Sequence, residues 1–326
     1  MEFLTALCLV MSLSACQDVV ATMEPVSLRI AVDGGGSRCT SVGDSEESEV
    51  GDLQVFVFGS SGALEAYGHS SASNLTLDCM PGSRDVWAVV NAPSLSAVRG
   101  RDELAASVSD LGDNSAGHLV MVGHRQFTLD GDMHGYVPVQ RLCAKVVLGR
   151  IVRAFTSDVL QARQFVVKRI YLTNVAGQCS YGHAAGMDLP DPDYPGSFPS
   201  QWYNKMGCQD DVCWLVCDSP SVNLTEEYSV AHTFYAYPNP CLTGSRAGVW
   251  SPRTTRLVIE TELDGVAGYY VVDVPGIESN HAYVFDSIEL RRPGSDNPET
   301  VSSEDQLRFG FRVAGWRHGS EYEELL

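Results

Sequence analysis

The chain has 326 residues, a formal net charge of −19 and 44% hydrophobic residues. An acidic balance this strong excludes nucleic acid and anionic membrane surfaces as partners, since both need a basic face; it suits an exported surface protein. The length allows two domains with real cores.

Residues 4–13 form an apolar run of about ten residues, the size of a signal-peptide h-region and too short to span a bilayer. It ends in Leu13-Ser14-Ala15-Cys16. Small residues just before a cysteine fit a bacterial lipoprotein signal. Residues 1–15 would be removed, Cys16 acylated, and residues 16–26 left as a lipidated linker. The acyl chain would be the only membrane attachment, because no other run approaches ~18 apolar residues. Glu2 departs from the pattern, standing where a basic residue is usual. The alternative is an ordinary secretory signal that contains a cysteine.

Strand signals follow. SLRIAV (27–32) alternates, with Leu28, Ile30 and Val32 on one face. Then comes GGGSRCTS (34–41), three glycines running into a lone Arg38. The acidic residues 44–52 after it lack the spacing of a calcium loop and read as a solvated charge run. LQVFVFG (53–59), ALEAYG, NLTLDC (74–79) and VWAVVNAP (86–93) are strands separated by turn residues. The 101–112 segment, with Leu104, Val108 and Leu111 at helical spacing, predicts a helix. Residues 136–152 predict one long strand, 156–163 a helical turn or two after a Thr or Ser cap, and 164–175 another strand. Later strands are predicted at 232–240, 255–263, 268–274, 281–291 and 306–316, with Asp264-Gly265 in a hairpin turn.

Many short strands and little helix predict an all-β fold of two tandem sandwiches, residues 27–163 and 164–326, with a boundary near 155–165. Residues 180–231 read as a long decorated loop region of the second.

No chemistry-bearing constellation emerges. Cys208, Cys213 and Cys217 lack zinc-knuckle spacing, even with His183 nearby. In an exported chain, at least one disulfide among Cys208, Cys213, Cys217 and Cys241 is the expectation. Cys39, Cys79, Cys143 and Cys179 complete the cysteines outside the leader, which also holds Cys8. His118, His124 and His134 have no nucleophile beside them. The Asp33-Gly34-Gly35-Gly36 run lacks the phosphate-binding frame. The reading is a non-enzyme with no cofactor and no metal.

Several stretches in order carry a resemblance. They are LSAC, the first strand with SRCTS, DLQVFVFGSSGALEAY, VWAVVNAP, LVMVGH, VPVQRLCAKVVL, IYLTNVAG, FYAYPNP, TRLVIETELDGVAGYYVVDVP and NHAYVFDSIELRRPGSDNP. Together they span nearly the whole chain, which resembles the fimbrillin family of Bacteroidales surface fimbriae, the type V pilins. The resemblance implies a transthyretin-like sandwich in each domain and export to the outer membrane as a lipoprotein. It implies cleavage after an arginine by a trypsin-like surface protease, here between Arg38 and Cys39, which removes the first strand. A C-terminal strand of another fimbrial subunit then fills the groove. Here the removable residues would be Leu28, Ile30 and Val32. The candidate donor strand, within 306–326, would present Leu307, Phe309, Phe311 and Val313, unless that strand closes its own domain. Cys39 stands where relatives usually carry a small residue, and a Cys39–Cys79 disulfide would hinder cutting. An uncut anchor, a tip subunit and a solitary ligand-binding lipoprotein remain as alternatives.

Overall fold

The computed structural model describes residues 24–33, 46–115, 117–184, 202–203, 216–241 and 253–316. It is nearly all β. Strands β1 (Val26–Asp33), β2 (Leu53–Phe58), β3 (Leu64–Ser70), β4 (Asn74–Cys79), β5 (Gly82–Val90), β6 (Met121–Leu129) and β7 (Met133–Pro138) make the first half. The second half holds β8 (Ala144–Leu148), β9 (Ile151–Arg153), β10 (Phe165–Thr173), β11 (His232–Ala236), β12 (Thr255–Leu263), β13 (Val266–Val274), β14 (His281–Leu290) and β15 (Leu307–Gly315).

In the first half, a sheet ordered β3-β2-β5-β6, with residues 140–141 at its edge, faces a three-stranded sheet ordered β4-β1-β7. Every residue of β2 is buried, because its sheet is covered on both sides. Leu53, Val55 and Val57 point into a core shared with β1, whereas Phe56 and Phe58 join a second, larger core. That larger core runs on into the second half, through residues such as Leu142, Phe165, Ile259 and Phe285. There β8 and β9 lie end to end along one edge of β14, and β15 takes the other edge. In a separate sheet β12 pairs antiparallel with both β10 and β13.

Two expectations are corrected. The predicted helix at 101–112 stops at Ala106: residues 108–110 form a strand paired with 178–180, and Leu111–Asp113 a 3-10 turn. Leu104 and Leu111 are buried but Val108 is half-exposed, so the helical spacing does not describe one face. The run 136–152 is not one strand. It breaks after Pro138, which lacks a donor, and again at Gly149, whose missing side chain lets Asp286 approach: a Cβ there would lie 2.6 Å from the Asp286 carbonyl oxygen. The break matches a bulge in β14 between Phe285 and Ile288. Consequently residues 144–153, which precede the expected boundary near 155–165, hydrogen-bond to strands that follow it.

The helical turn after Ser157 is present, its side chain accepting from the Leu160 amide. The Asp264-Gly265 hairpin between β12 and β13 has φ of 49° and 80° at the two central residues, as a type I′ turn requires. Nothing lies within 4 Å of a Cβ placed on Gly265, so only backbone conformation opposes a side chain there. Gly265→Ala is expected to lower stability by about 1–2 kcal/mol, read as a lower denaturant midpoint with an unchanged slope.

Candidate functional site

The first strand is the centre of its sheet. It runs antiparallel to β4, with Ile30 opposite Leu75, and parallel to β7, with Ile30 opposite Gly135. Among the described residues, β4 and β7 have β1 as their only ladder partner. The alternation of the sequence sends Leu28, Ile30 and Val32 inward, at 0%, 0% and 5% exposure. They meet Leu53, Val55, Val57, Val86, Ala88 and Val90 of the facing sheet in a core separate from the larger one. At about 1.5–3 kcal/mol per buried aliphatic side chain, the three contribute roughly 5–9 kcal/mol, an upper figure because the unfolded chain already hides some of this surface. The outward side is held lightly: the Ser27 amide donates to Asp132 Oδ1 at 2.8 Å, and Arg29 to Asn74 Oδ1 at 3.3 Å.

The slot has a shaped floor at its middle. A Cβ on Gly135 would lie 2.8 Å from Phe127 Cε1 and 2.9 Å from Ile30 Cδ1, so the bare backbone makes the seat for the Ile30 side chain. Gly135→Val is expected to destabilise the first sandwich by about 1–3 kcal/mol through overpacking. A lower melting temperature would show it, and truncating the seated residue in a Gly135→Val/Ile30→Ala double variant should recover part of the loss.

Cys79 pairs with Val26, at the end of β1 away from the glycine segment, and carries a free buried thiol. Burial pushes that thiol up to about 11, so it stays protonated and unreactive at neutral pH. Cys241 is likewise buried and free. Cys16, Arg38, Cys39, Cys208 and Cys213 lie outside the described residues.

The candidate donor residues sit on β15, which is hydrogen-bonded to β14 from Leu307 to Gly315. Leu307 is buried and Val313 half-buried, but Phe309 and Phe311 are 42% and 37% exposed. Both rings lie against Phe285, at 5.4 and 4.8 Å between centroids.

The histidines do not converge. His124 packs tilted against Trp87, 5.1 Å between centroids, His134 on β7 lies opposite Arg29 of β1, and burial lowers the pKa of half-buried His183. Among the described residues no group of His, Cys, Asp and Glu is placed to hold a metal ion. The acidic run also departs from expectation: Glu47 is not solvated but ion-paired to buried Lys145 at 2.9 Å. Sequence reasoning missed β7 as the second neighbour of β1, and with it Gly135. The only signal was weak alternation in MHGYVP.

The chain matches no family model and no curated protein. Solved structures are similar along nearly their whole length. A fimbrilin from Porphyromonas gingivalis W83 aligns at a TM-score of 0.62 and 14% identity, covering 91% of this chain and 99% of the other. A protein provisionally assigned to cell adhesion, from Bacteroides eggerthii DSM 20697, aligns at 0.64 and 18%, covering 91% and 98%. Another with that assignment, from Parabacteroides distasonis ATCC 8503, aligns at 0.63 and 15%, covering 90% and 100%. The chain therefore has an all-β fold of the fimbrilin type.

Proposed function

We propose that the chain is a structural subunit of a cell-surface fimbrium that supports adhesion. It is exported as an outer-membrane lipoprotein acylated on Cys16, cut between Arg38 and Cys39 by an arginine-specific surface protease, and polymerised with other fimbrial subunits by strand exchange. The observation that carries this reading is the placement of β1. It is the sole ladder partner of both neighbours among the described residues, and its side chains plug a core separate from the larger one. Taking it out would leave the larger core intact and open a slot with two unpaired backbone edges and an apolar floor. Such a slot accepts a strand from another chain by β-augmentation. The fold shared with a fimbrilin supports the same reading.

One observation favours a second reading. Strand β15 is fully paired at home, as befits a tip or anchor subunit that keeps its last strand. The amino terminus of the mature surface protein separates the two. A start at Cys39, with ladders on a gel after limited trypsin digestion, is the expected result for a shaft subunit. An acylated Cys16 start marks an uncut anchor, and a chain that stays monomeric after the cut argues against strand exchange altogether.

A further inference from the structure

The acidic segment after the glycines is tied to the far end of the chain. Residues 46–48 are one 3-10 turn, and Glu47 at its centre gathers partners from three distant elements. Its carboxylate accepts from Lys145 Nζ at 2.9 Å, from the Tyr235 hydroxyl at 2.7 Å and from Trp316 Nε1 at 3.1 Å. Its carbonyl accepts from Arg141 Nε at 2.9 Å, and the neighbouring Ser48 hydroxyl from Arg141 Nη2 at 2.8 Å. The Trp316 ring lies under both cations, 4.4 Å from the Arg141 guanidinium and 4.6 Å from the Lys145 ammonium. Arg141, Lys145 and Trp316 are 3%, 6% and 2% exposed.

Trp316 immediately follows β15, and its amide donates to the Asn280 carbonyl at 2.8 Å. An edge strand opens from its ends, so whatever holds Trp316 holds the end of β15. A carboxylate that accepts from three donors and ion-pairs with buried Lys145 is hard to withdraw, because each of those contacts is lost with it. Downstream, the turn is fixed by Asn91, which donates to the Glu49 carbonyl at 2.7 Å and accepts from the Gly51 amide at 3.0 Å. Upstream, the chain leads to the glycine tether and β1.

We propose that Glu47 is a latch that holds the end of β15 closed, and that it couples this hold to the tether because it lies on the segment that follows the tether in the chain. The link to cutting rests on the strand-exchange reading; the hold on β15 does not.

Hydrogen exchange of the uncut chain, followed by mass spectrometry, tests the latch. In Glu47→Gln, amides of 307–315 are expected to exchange at least about tenfold faster, with β1 and the β12–β13 hairpin within about twofold of wild type. Trp316→Phe keeps the ring over the cations but removes the donor to Glu47, and should give a smaller rise confined to the same strand. It also serves if Glu47→Gln does not fold. Unchanged exchange in β15, or an equal rise in every strand, overturns the proposal. A cut chain that never polymerises counts against strand exchange and not against the latch, which the uncut chain alone decides.

Discussion

A chain cut after Arg38 and separated from residues 1–38 is expected to bind a peptide of its own first strand, VSLRIAVD, and to reject the same peptide carrying Ile30→Asp. The ratio of the two affinities is the informative quantity. Association has a large entropic cost, but it is the same for both peptides and cancels. What remains is the difference at one seat. Ile30 is fully buried, with Gly135 and Phe127 closing around its side chain, in a core of apolar side chains. Burying that charge unpaired costs several kcal/mol, so the substituted peptide should bind at least about 100-fold more weakly. Fluorescence anisotropy of labelled peptides gives both constants. Equal binding would mean that the peptide docks elsewhere, or that β4 and β7 collapse together when β1 leaves, and either outcome removes the slot as the assembly site.

The strands were readable because period-2 patterning survives any tertiary context. Leu28, Ile30 and Val32 face one way in the sequence and in the sheet, and Asp264-Gly265 carries its turn type in its own backbone preferences. What was not readable depends on partners distant in sequence. The break of 136–152 into pieces follows from where the chain leaves one sheet and enters another, and Gly149 shows its purpose only once Asp286 lies against it. Gly135 shapes the middle of the slot, and its role shows only once Phe127 and Ile30 lie against it. Glu47 lay in an acidic run whose other members gave no reason to single it out; its partners, Lys145, Tyr235 and Trp316, come from positions scattered across the chain.

Locking β15 to its own sheet should separate a donor strand from a resident one. Val284 and Arg312 are opposed across the β14–β15 ladder. Opposed residues in an antiparallel pair have Cα atoms about 4.5–5.5 Å apart, within the range a disulfide spans. The Val284→Cys/Arg312→Cys variant, oxidised and then cut at Arg38, is expected to form no ladders, and to regain them when a reductant is added. Arg312 also bonds Asp286 at 3.1 Å, so the Arg312→Cys single variant is the control for loss of that contact. The physical reason to expect donation is a difference in burial. Phe309 and Phe311 are 42% and 37% exposed at home, whereas the seats of Leu28 and Ile30 are closed to water. Completing the burial of two aromatic side chains is worth roughly 1–2 kcal/mol. Their contacts with Phe285 oppose the move, by about 0.5–1.5 kcal/mol each. With terms this closely matched, the hold on Trp316 decides whether β15 leaves, and assembly should depend on opening it. If the oxidised variant builds ladders at the wild-type rate, β15 never leaves its sheet, and the strand that fills the slot comes from another part of the chain or from another subunit.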